Sequence, residues 1–79
     1  MEKIFVVKVL FESNDFNSCN VKLFKDYDSA YRYANDDIDK YGDEYNGNVT
    51  ERASHLFKMK ANNDTYVTIY IEEQVIIGY

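Results

Sequence analysis

Few residues of this chain could carry chemistry, and each lacks the partners that its chemistry requires. His55 is the single histidine, and a metal site or a general base would need other groups placed around it. Cys19 is the single cysteine, and it lies among Asn and Ser in a predicted loop, without a nearby base. The glycines Gly42, Gly47 and Gly78 are too scattered to form a phosphate-binding loop. The sequence therefore predicts no catalytic residue, no cofactor and no enzymatic activity.

Three aspartates in one short run, Asp36, Asp37 and Asp39, come closest to a metal-binding pattern. A calcium loop of the EF-hand type alternates its acidic ligands around a central glycine and ends in a glutamate. The run has no such glycine, and it falls in a segment with helical periodicity, where neighbouring side chains diverge. We therefore predict no metal site. Two interpretations remain open: a solvated helix face, or a surface that recognises a basic protein.

The run belongs to a segment, residues 26–44, that carries the whole net charge of the protein. Seven carboxylates stand there against two cations, so the segment contributes 2 − 7 = −5, and the complete chain of 79 residues also has a net charge of −5. Such a surface attracts basic proteins and repels phosphate backbones. We expect the partner to be a basic protein, such as an enzyme that handles nucleic acid, and we expect no direct binding of nucleic acid.

We call the carboxy-terminal acids of this segment the acidic ridge, and we expect them to bind the partner. The acidic ridge consists of Asp36, Asp37, Asp39, Asp43 and Glu44. Tyr31 and Tyr45 are expected near it as aromatic anchors, because tyrosine combines a large apolar ring with a polar tip. The leading hypothesis is a non-enzymatic binding protein that blocks its partner by steric hindrance and charge mimicry.

The acidic ridge is predicted to lie on an amphipathic helix that begins after Asp26 and stops at Gly42. Asp26 can cap the first turn, and glycine is a common helix terminator. Between them, apolar positions separated by three or four residues mark one helical stripe. These positions are Tyr27, Ala30, Ala34, Ile38 and Tyr41. The two small alanines would let the helix lie close to a sheet.

Four segments have the β-branched and aromatic composition of strands. They are residues 3–12, 21–25, 55–61 and 65–72. Polar residues predict a loop at 13–20 and a longer connection at 43–54, with one short helical turn at 50–53. The apolar tail, residues 75–79, is expected to add a short fifth strand at an edge or to pack against a partner.

The register of the hairpin formed by residues 55–61 and 65–72 follows from its apolar residues. A three-residue loop at 62–64 pairs Met59 with Val67 and Phe57 with Ile69, so all of these side chains share one face. A two-residue turn would instead place Lys58 beside Ile69 and mix charge into the apolar face. We therefore predict the three-residue loop.

These elements predict an α+β fold in the order β–β–α–β–β. One helix crosses one face of a small antiparallel sheet of four or five strands, and residues 1–79 form a single domain. The chain shows no amino-terminal apolar signal region, no run long enough to span a bilayer and only one cysteine. These features lead us to expect a cytoplasmic protein in a reducing compartment.

One helix covers only one face of such a sheet, so the sequence predicts a second, uncovered face. The helix side is expected to take Phe5, Val7, Val9, Phe11, Phe57, Met59, Val67, Ile69 and Ile71. The other side is expected to show Ile4, Val6, Leu10, Leu56, Tyr66 and Tyr70. A bare patch of that kind is larger than soluble monomers usually carry. Either residues 43–54 or the tail fold over it, or it binds a second copy or another partner.

Lysines on the same face allow a third hypothesis. Lys58, Lys60, Tyr66 and Tyr70 resemble the stacking platform of sheet-type RNA binders. The glycine-aromatic signature of the RNA-recognition module is missing, the strand order differs, and a net charge of −5 opposes nucleic acid. Binding of single-stranded RNA therefore ranks below partner inhibition and dimerisation.

Residues 21–26, followed by Ala30, Tyr33 and Ala34, resemble a strand-then-helix pattern of small phage and low-GC bacterial proteins. In size, acidity and composition the chain is also similar to phage-encoded inhibitors of host defence, including anti-CRISPR proteins. This resemblance implies a protein that presents carboxylates where a host nuclease expects DNA phosphates, acting in the host cytoplasm.

Overall fold

The structure is a computed structural model that describes residues 2–14, 16–61 and 64–76. Its elements are β1 (Glu2–Glu12), β2 (Asn17–Phe24), α1 (Tyr27–Glu44), β3 (Asn48–Arg52), β4 (Leu56–Ala61) and β5 (Thr65–Ile76). The five strands form one antiparallel sheet in the order β2–β1–β5–β4–β3. The predicted α+β class with one helix is confirmed, and the described residues form five strands.

The fifth strand is β3, which lies inside the segment that was expected to be a loop. Residues 50–53 do not form a helical turn, and residues 43–54 do not fold over the open face, because β3 pairs with β4 in the plane of the sheet. A bulge at Thr50 interrupts the pairing, and Thr50 Oγ1 donates to the Lys58 carbonyl oxygen at 3.4 Å. Val49 alone turns a large apolar side chain toward the core. Because only one of the five residues of β3 is apolar, its sequence lacks the alternation of apolar and polar residues that indicates a strand.

The second strand is also longer than its apolar residues indicate. Asn17 to Asn20 were expected in a loop, but they pair with Glu12 to Val9 of β1, and the loop shortens to the residues around Ser13 and Phe16. The Ser13 N–H donates to the Phe16 carbonyl oxygen at 2.9 Å and closes the turn. Cys19 therefore lies on a strand, opposite Leu10, and not in a loop. Backbone pairing to a long interior strand outweighs the low strand propensity of these polar residues.

The hairpin of β4 and β5 has the predicted register. Phe57 pairs with Ile69 and Met59 with Val67, and the ladder ends at Ala61 opposite Thr65. Of the predicted loop, residues 62 and 63 lie outside the described part of the chain. β5 then continues to Ile76 against β1 and forms no separate edge strand, and residues 77–79 lie outside the described residues.

The helix begins where it was predicted and ends later. Asp26 caps it by accepting from the Ser29 N–H at 2.9 Å, a bond that holds the pKa of Asp26 below its ordinary value. Gly42 does not stop the helix, which runs to Glu44. The chain reverses at Asn46, which has a left-handed φ of 53°, and the Gly47 N–H donates to the Gly42 carbonyl oxygen at 2.8 Å. This is a Schellman-type end with asparagine in the position that glycine usually takes.

The core lies between α1 and the sheet. The residues predicted on the helix side are all buried there, except Phe5, which is half-buried, and Ala30, Ala34 and Ile38 face them from the helix. The small alanines allow α1 to contact all five strands. Within the described ranges, no helix is both long and apolar enough to cross a membrane.

Candidate functional site

The outer surface of α1 carries the acidic ridge. Because Ala30, Ala34 and Ile38 are buried against the sheet, the helical repeat turns Asp36 and Asp43 toward solvent on the opposite side. Five residues line a shallow open depression at the carboxy-terminal half of the helix: Asp36, Asp39, Lys40, Asp43 and Glu44. The structure thus brings four of the five predicted ridge acids together around one lysine. The fifth acid, Asp37, lies on the flank of the helix.

One ridge acid is held by a cation from the sheet. Arg52 Nη2 of β3 lies 2.6 Å from Asp39 Oδ1, and Arg52 Nη1 donates to Asn35 Oδ1. This contact clamps β3 to the helix and neutralises part of the ridge charge. Sequence reasoning missed it because residues 48–52 were not recognised as a strand beside α1.

Asp37 differs from the other ridge acids because it is half-buried. Burial raises the pKa of Asp37, and the nearby Lys40 charge lowers it in part. Burial also raises the pKa of Tyr33 and of Tyr41, and the Asp37 charge adds to both shifts. Asp37 therefore lies beside these two tyrosines, where a carboxylate is less well solvated than on the outer face.

Replacing Asp37 with Asn is expected to stabilise the protein near neutral pH. Since the folded-state pKa of Asp37 is raised above its ordinary value of 3.8, the folded state binds more protons than the unfolded state in the window that begins near 3.8 and extends upward. Stability therefore falls as pH rises through that window, and Asp37→Asn removes this contribution. Urea unfolding at a series of pH values should show a higher midpoint and a flatter profile for the variant. Asp36→Asn, at an exposed position, is the control, and an equal gain there would refute the explanation.

The two predicted anchor tyrosines have different surroundings. Tyr31 is half-buried and packs its ring 5.5 Å from the Phe57 ring and 6.0 Å from the Tyr27 ring, so it supports the helix–sheet contact. Tyr45 is 40% exposed, follows Glu44 directly and stacks on Tyr41 at 6.2 Å. Of the two, Tyr45 is the tyrosine whose ring is available beside the acidic ridge.

Tyr45 belongs to an aromatic cluster that the sequence did not reveal. Its ring centroid lies 5.3 Å from that of Phe11, and Phe11 lies 6.1 Å from Phe16. Phe16 comes from the turn between β1 and β2 and is one of the most exposed large apolar residues that the structure describes. The high aromatic content was a signal that such clusters exist, but their members are far apart in sequence, so the fold had to be known to assemble them.

The residues with catalytic potential occupy ordinary structural positions. His55 Nδ1 lies 2.8 Å from Ser54 Oγ, and the His55 ring lies 5.9 Å from the Tyr27 ring, near the start of α1. Cys19 is exposed on β2. Among residues 2–14, 16–61 and 64–76, no three His, Cys, Asp or Glu side chains form a group that could hold a metal ion.

The open sheet face is the second candidate surface, and we define it as the side of the sheet opposite α1. Ile4, Val6, Leu10 and Leu56 lie there half-buried, and Tyr66 and Tyr70 are exposed. The register adds two residues of β2 that were not assigned to this face: Val21 lies opposite Lys8, and Leu23 lies opposite Val6. They were missed because the sequence did not fix the register of β2.

The lysines and tyrosines of the RNA hypothesis lie on the open sheet face. Lys60 pairs across the strands with Tyr66, and Lys60 Nζ lies 5.7 Å from the centre of that ring. Lys58 is opposite Thr68, and Tyr70 is opposite Leu56. Tyr66 and Tyr70 are separated by the cross-strand row of Lys58 and Thr68, which contains no aromatic ring. RNA binding stays a prediction.

No protein-family model matches this chain, and neither a curated protein nor a solved structure is significantly similar to it.

Proposed function

We propose that the protein is a non-enzymatic binding protein whose acidic ridge occupies the basic, nucleic-acid-binding groove of a partner protein. The observation that carries the proposal is the display of the ridge on the outer side of one helix, with a sheet of nearly balanced charge behind it. Asp36 and Asp43 are seven residues apart, which corresponds to about 10 Å along the helix axis. A line of carboxylates of this length can face several lysine or arginine side chains at once.

The ridge is held rigidly, which favours binding. Ala30 and Ala34 are fully buried against the sheet, Asp26 caps the first turn, and Arg52 links β3 to Asp39. A surface that is already ordered loses little conformational entropy when a partner binds. The helix positions from which the carboxylates project therefore have a fixed spacing.

The carboxy-terminal end of the helix supplies an anchor for a basic side chain. Tyr45 presents an exposed ring directly after Asp43 and Glu44, and its face is supported by Tyr41 and Phe11. An arginine of the partner that stacks on this ring can also meet a carboxylate. Aromatic and charged groups in contact are typical of residues that dominate binding energy.

Blocking of the partner is the expected consequence, because a groove filled by the ridge cannot hold a phosphate backbone. This agrees with the resemblance in size, acidity and composition to phage-encoded inhibitors of host defence. Binding of this kind involves no reaction, and the acidic ridge offers no nucleophile beside a base.

The test compares two variants with the same change of net charge. Asp36→Asn, Asp43→Asn and Glu44→Gln together remove three ridge charges, whereas Glu51→Gln, Asp64→Asn and Glu73→Gln remove three exposed acids from other elements. Both variants change the net charge from −5 to −2 (−5 + 3). The partner is first captured from bacterial lysate at low salt, and its affinity is then titrated at about 50 and about 150 mM salt.

We expect the ridge variant to bind about tenfold or more weakly and with a flatter salt dependence, and the control variant to bind like the wild type. We also expect the captured protein to lose its nucleic acid when the wild-type chain is added. Equal affinities of the two variants would contradict the ridge as the site. A ternary complex of chain, partner and nucleic acid would contradict blocking.

A further inference from the structure

The open sheet face combines side chains from all five strands into one surface. The register places Val21, Lys8, Tyr70 and Leu56 in one row across four strands. The next row contains Leu23, Val6 and Glu72, and Ile4 follows beyond it. The apolar side chains concentrate on β2, β1 and β5, and the polar ones collect toward β3 and β4.

Nothing in the described ranges covers this face. The helix packs on the other side of the sheet, and β3 extends the sheet sideways. Val21 and Leu23 are 52% and 62% exposed, although valine and leucine on a strand would each gain from burial. Contiguous exposed apolar area of this kind marks an interaction surface.

The dimensions of the face fit a stable pair of copies. Five strands at about 4.8 Å spacing give a width of about 24 Å, and eight residues of β2 give a length of about 27 Å, or roughly 650 Å² per copy. Two sheets packed face to face would bury about twice that area, which falls within the range of about 1,200–2,000 Å² for specific interfaces. The face is therefore large enough to hold a second copy without help from other elements.

The charges of the face favour a second copy over a strongly charged partner. The strand residues on this side include Lys8, Lys58 and Lys60, and they include Glu2, Glu12, Glu51 and Glu72. Their sum is 3 − 4 = −1, although the chain as a whole has −5. A nearly neutral face has no preference for nucleic acid or for a basic protein.

At the centre of the face, one ion pair makes the surface complementary to itself. Lys8 Nζ lies 3.1 Å from Glu72 Oε2, and both side chains are partly exposed among apolar neighbours. In a two-fold dimer each patch must match itself. A two-fold axis that lies between the two sheets and runs parallel to β1 and β5, midway between them, would bring Lys8 of each copy toward Glu72 of the other. The four charges would then neutralise one another.

The strong charge of the chain does not oppose this pairing. The acidic ridges lie on the far sides of the two sheets, and each layer of the assembly is about 10 Å thick. The ridges lie on the outer surfaces of the four layers and are then about 40 Å apart, which is well beyond the Debye length of about 8 Å at physiological salt.

We propose that a second copy of this chain covers the open sheet face and forms a four-layer α–β–β–α homodimer. Ile4, Val6, Leu10, Val21, Leu23 and Tyr70 form the apolar part of the contact. The dimer displays one acidic ridge on each outer surface, so the assembly offers two identical sites on opposite sides.

The test is the mass in solution, measured by sedimentation velocity over a wide range of concentrations. We expect the wild type to change from 9.3 kDa to twice that mass as concentration rises. Leu23→Lys introduces a charge at the most exposed leucine of the face and should weaken dimerisation about 100-fold. Asn20→Lys adds the same charge to the same strand on the helix side and should leave the dimer intact.

Thermal unfolding gives an independent measurement that also tests whether the variants fold. The midpoint of the wild type and of Asn20→Lys should rise with protein concentration, and that of Leu23→Lys should not. A wild type that stays monomeric at every concentration overturns the proposal and leaves the face to a partner of another sequence. A dimer that persists in Leu23→Lys overturns it as well, because the contact would then lie at a strand edge or on the helix. Neither outcome affects binding by the acidic ridge.

Discussion

Replacing Phe57 with Ala is expected to lower the free energy of unfolding by about 3–5 kcal/mol. Among the residues that the structure describes, Phe57 is the largest side chain that is fully buried, and it lies on β4 between Ile69 of β5 and Arg52 of β3. The Tyr31 ring contacts it from the helix at 5.5 Å. Its removal therefore leaves a cavity at the point where the helix meets the sheet.

The loss is large relative to what a domain of this size can tolerate. At about 0.05–0.15 kcal/mol per residue, a 79-residue chain has about 4–12 kcal/mol in total. At the lower end of that range, Phe57→Ala populates the unfolded state at room temperature, and the acidic ridge then loses its support from the sheet. Urea unfolding followed by circular dichroism measures the effect, at one protein concentration for all variants because dimerisation would add to stability.

The control for Phe57→Ala keeps the site apolar. Phe57→Leu leaves a smaller cavity and should cost about 1–2 kcal/mol. If Phe57→Ala cost less than about 1 kcal/mol, the helix could not be packed on β4 as the structure has it.

The parts of the fold that the sequence predicted are those with a strong apolar pattern. The nearly continuous apolar run of β1 indicated an interior strand, and the spacing of Ala30, Ala34 and Ile38 indicated one helix face. The register of β4 and β5 followed because a shift by one residue would have moved Lys58 into the core.

The parts that the sequence missed are the two edges of the sheet. β3 and the first half of β2 consist largely of polar residues, since an edge strand on the outer side of a sheet buries little. Their pairing is determined by the neighbouring strand and by the chain connections, which a local pattern does not contain. Arg52 and Leu23 were missed for this reason.

The candidate site was predicted in part. Charge counting located the acidic ridge, because net charge depends only on composition and the spacing of the acids along a helix can be read from the sequence. It treated five carboxylates as equivalent, whereas the fold pairs Asp39 with Arg52 and half-buries Asp37. The acids that remain outermost are Asp36, Asp43 and Glu44, and these three are the ones that the ridge variant changes.

Under the two proposals, the two sides of one sheet have different tasks. Binding through the acidic ridge would weaken with salt because it depends on charge, whereas a dimer held mainly by the apolar area of the open sheet face would not. A partner bound through the ridge should therefore be released by salt, whereas a dimer formed through the open sheet face should persist. Salt separates the two interactions in a single experiment.

The same substitution at two glycines, Gly42→Ala and Gly47→Ala, is expected to change stability in opposite directions. Gly42 is a helical residue at which a Cβ would meet only the Gly47 carbonyl oxygen, at an ordinary 3.7 Å. Alanine there should stabilise the protein by about 0.5–1 kcal/mol, because glycine loses more conformational freedom in a helix. The prediction that Gly42 stops the helix was wrong because Asn46 takes the left-handed position four residues later.

At Gly47 the obstacle is space and not backbone conformation. A Cβ would lie 2.9 Å from the Lys60 carbonyl oxygen and 3.0 Å from the Ala61 Cβ, and it would also meet Met59 Sδ. Met59 can move, but the backbone of β4 cannot move without breaking its pairs with β5, so Gly47→Ala should cost about 1–3 kcal/mol. A urea midpoint above that of the wild type for Gly42→Ala, and below it for Gly47→Ala, would support this account. A neutral Gly47→Ala would instead mean that the segment after α1 moves away from β4, and the Schellman-type bond from Gly47 to Gly42 would then have to break with it.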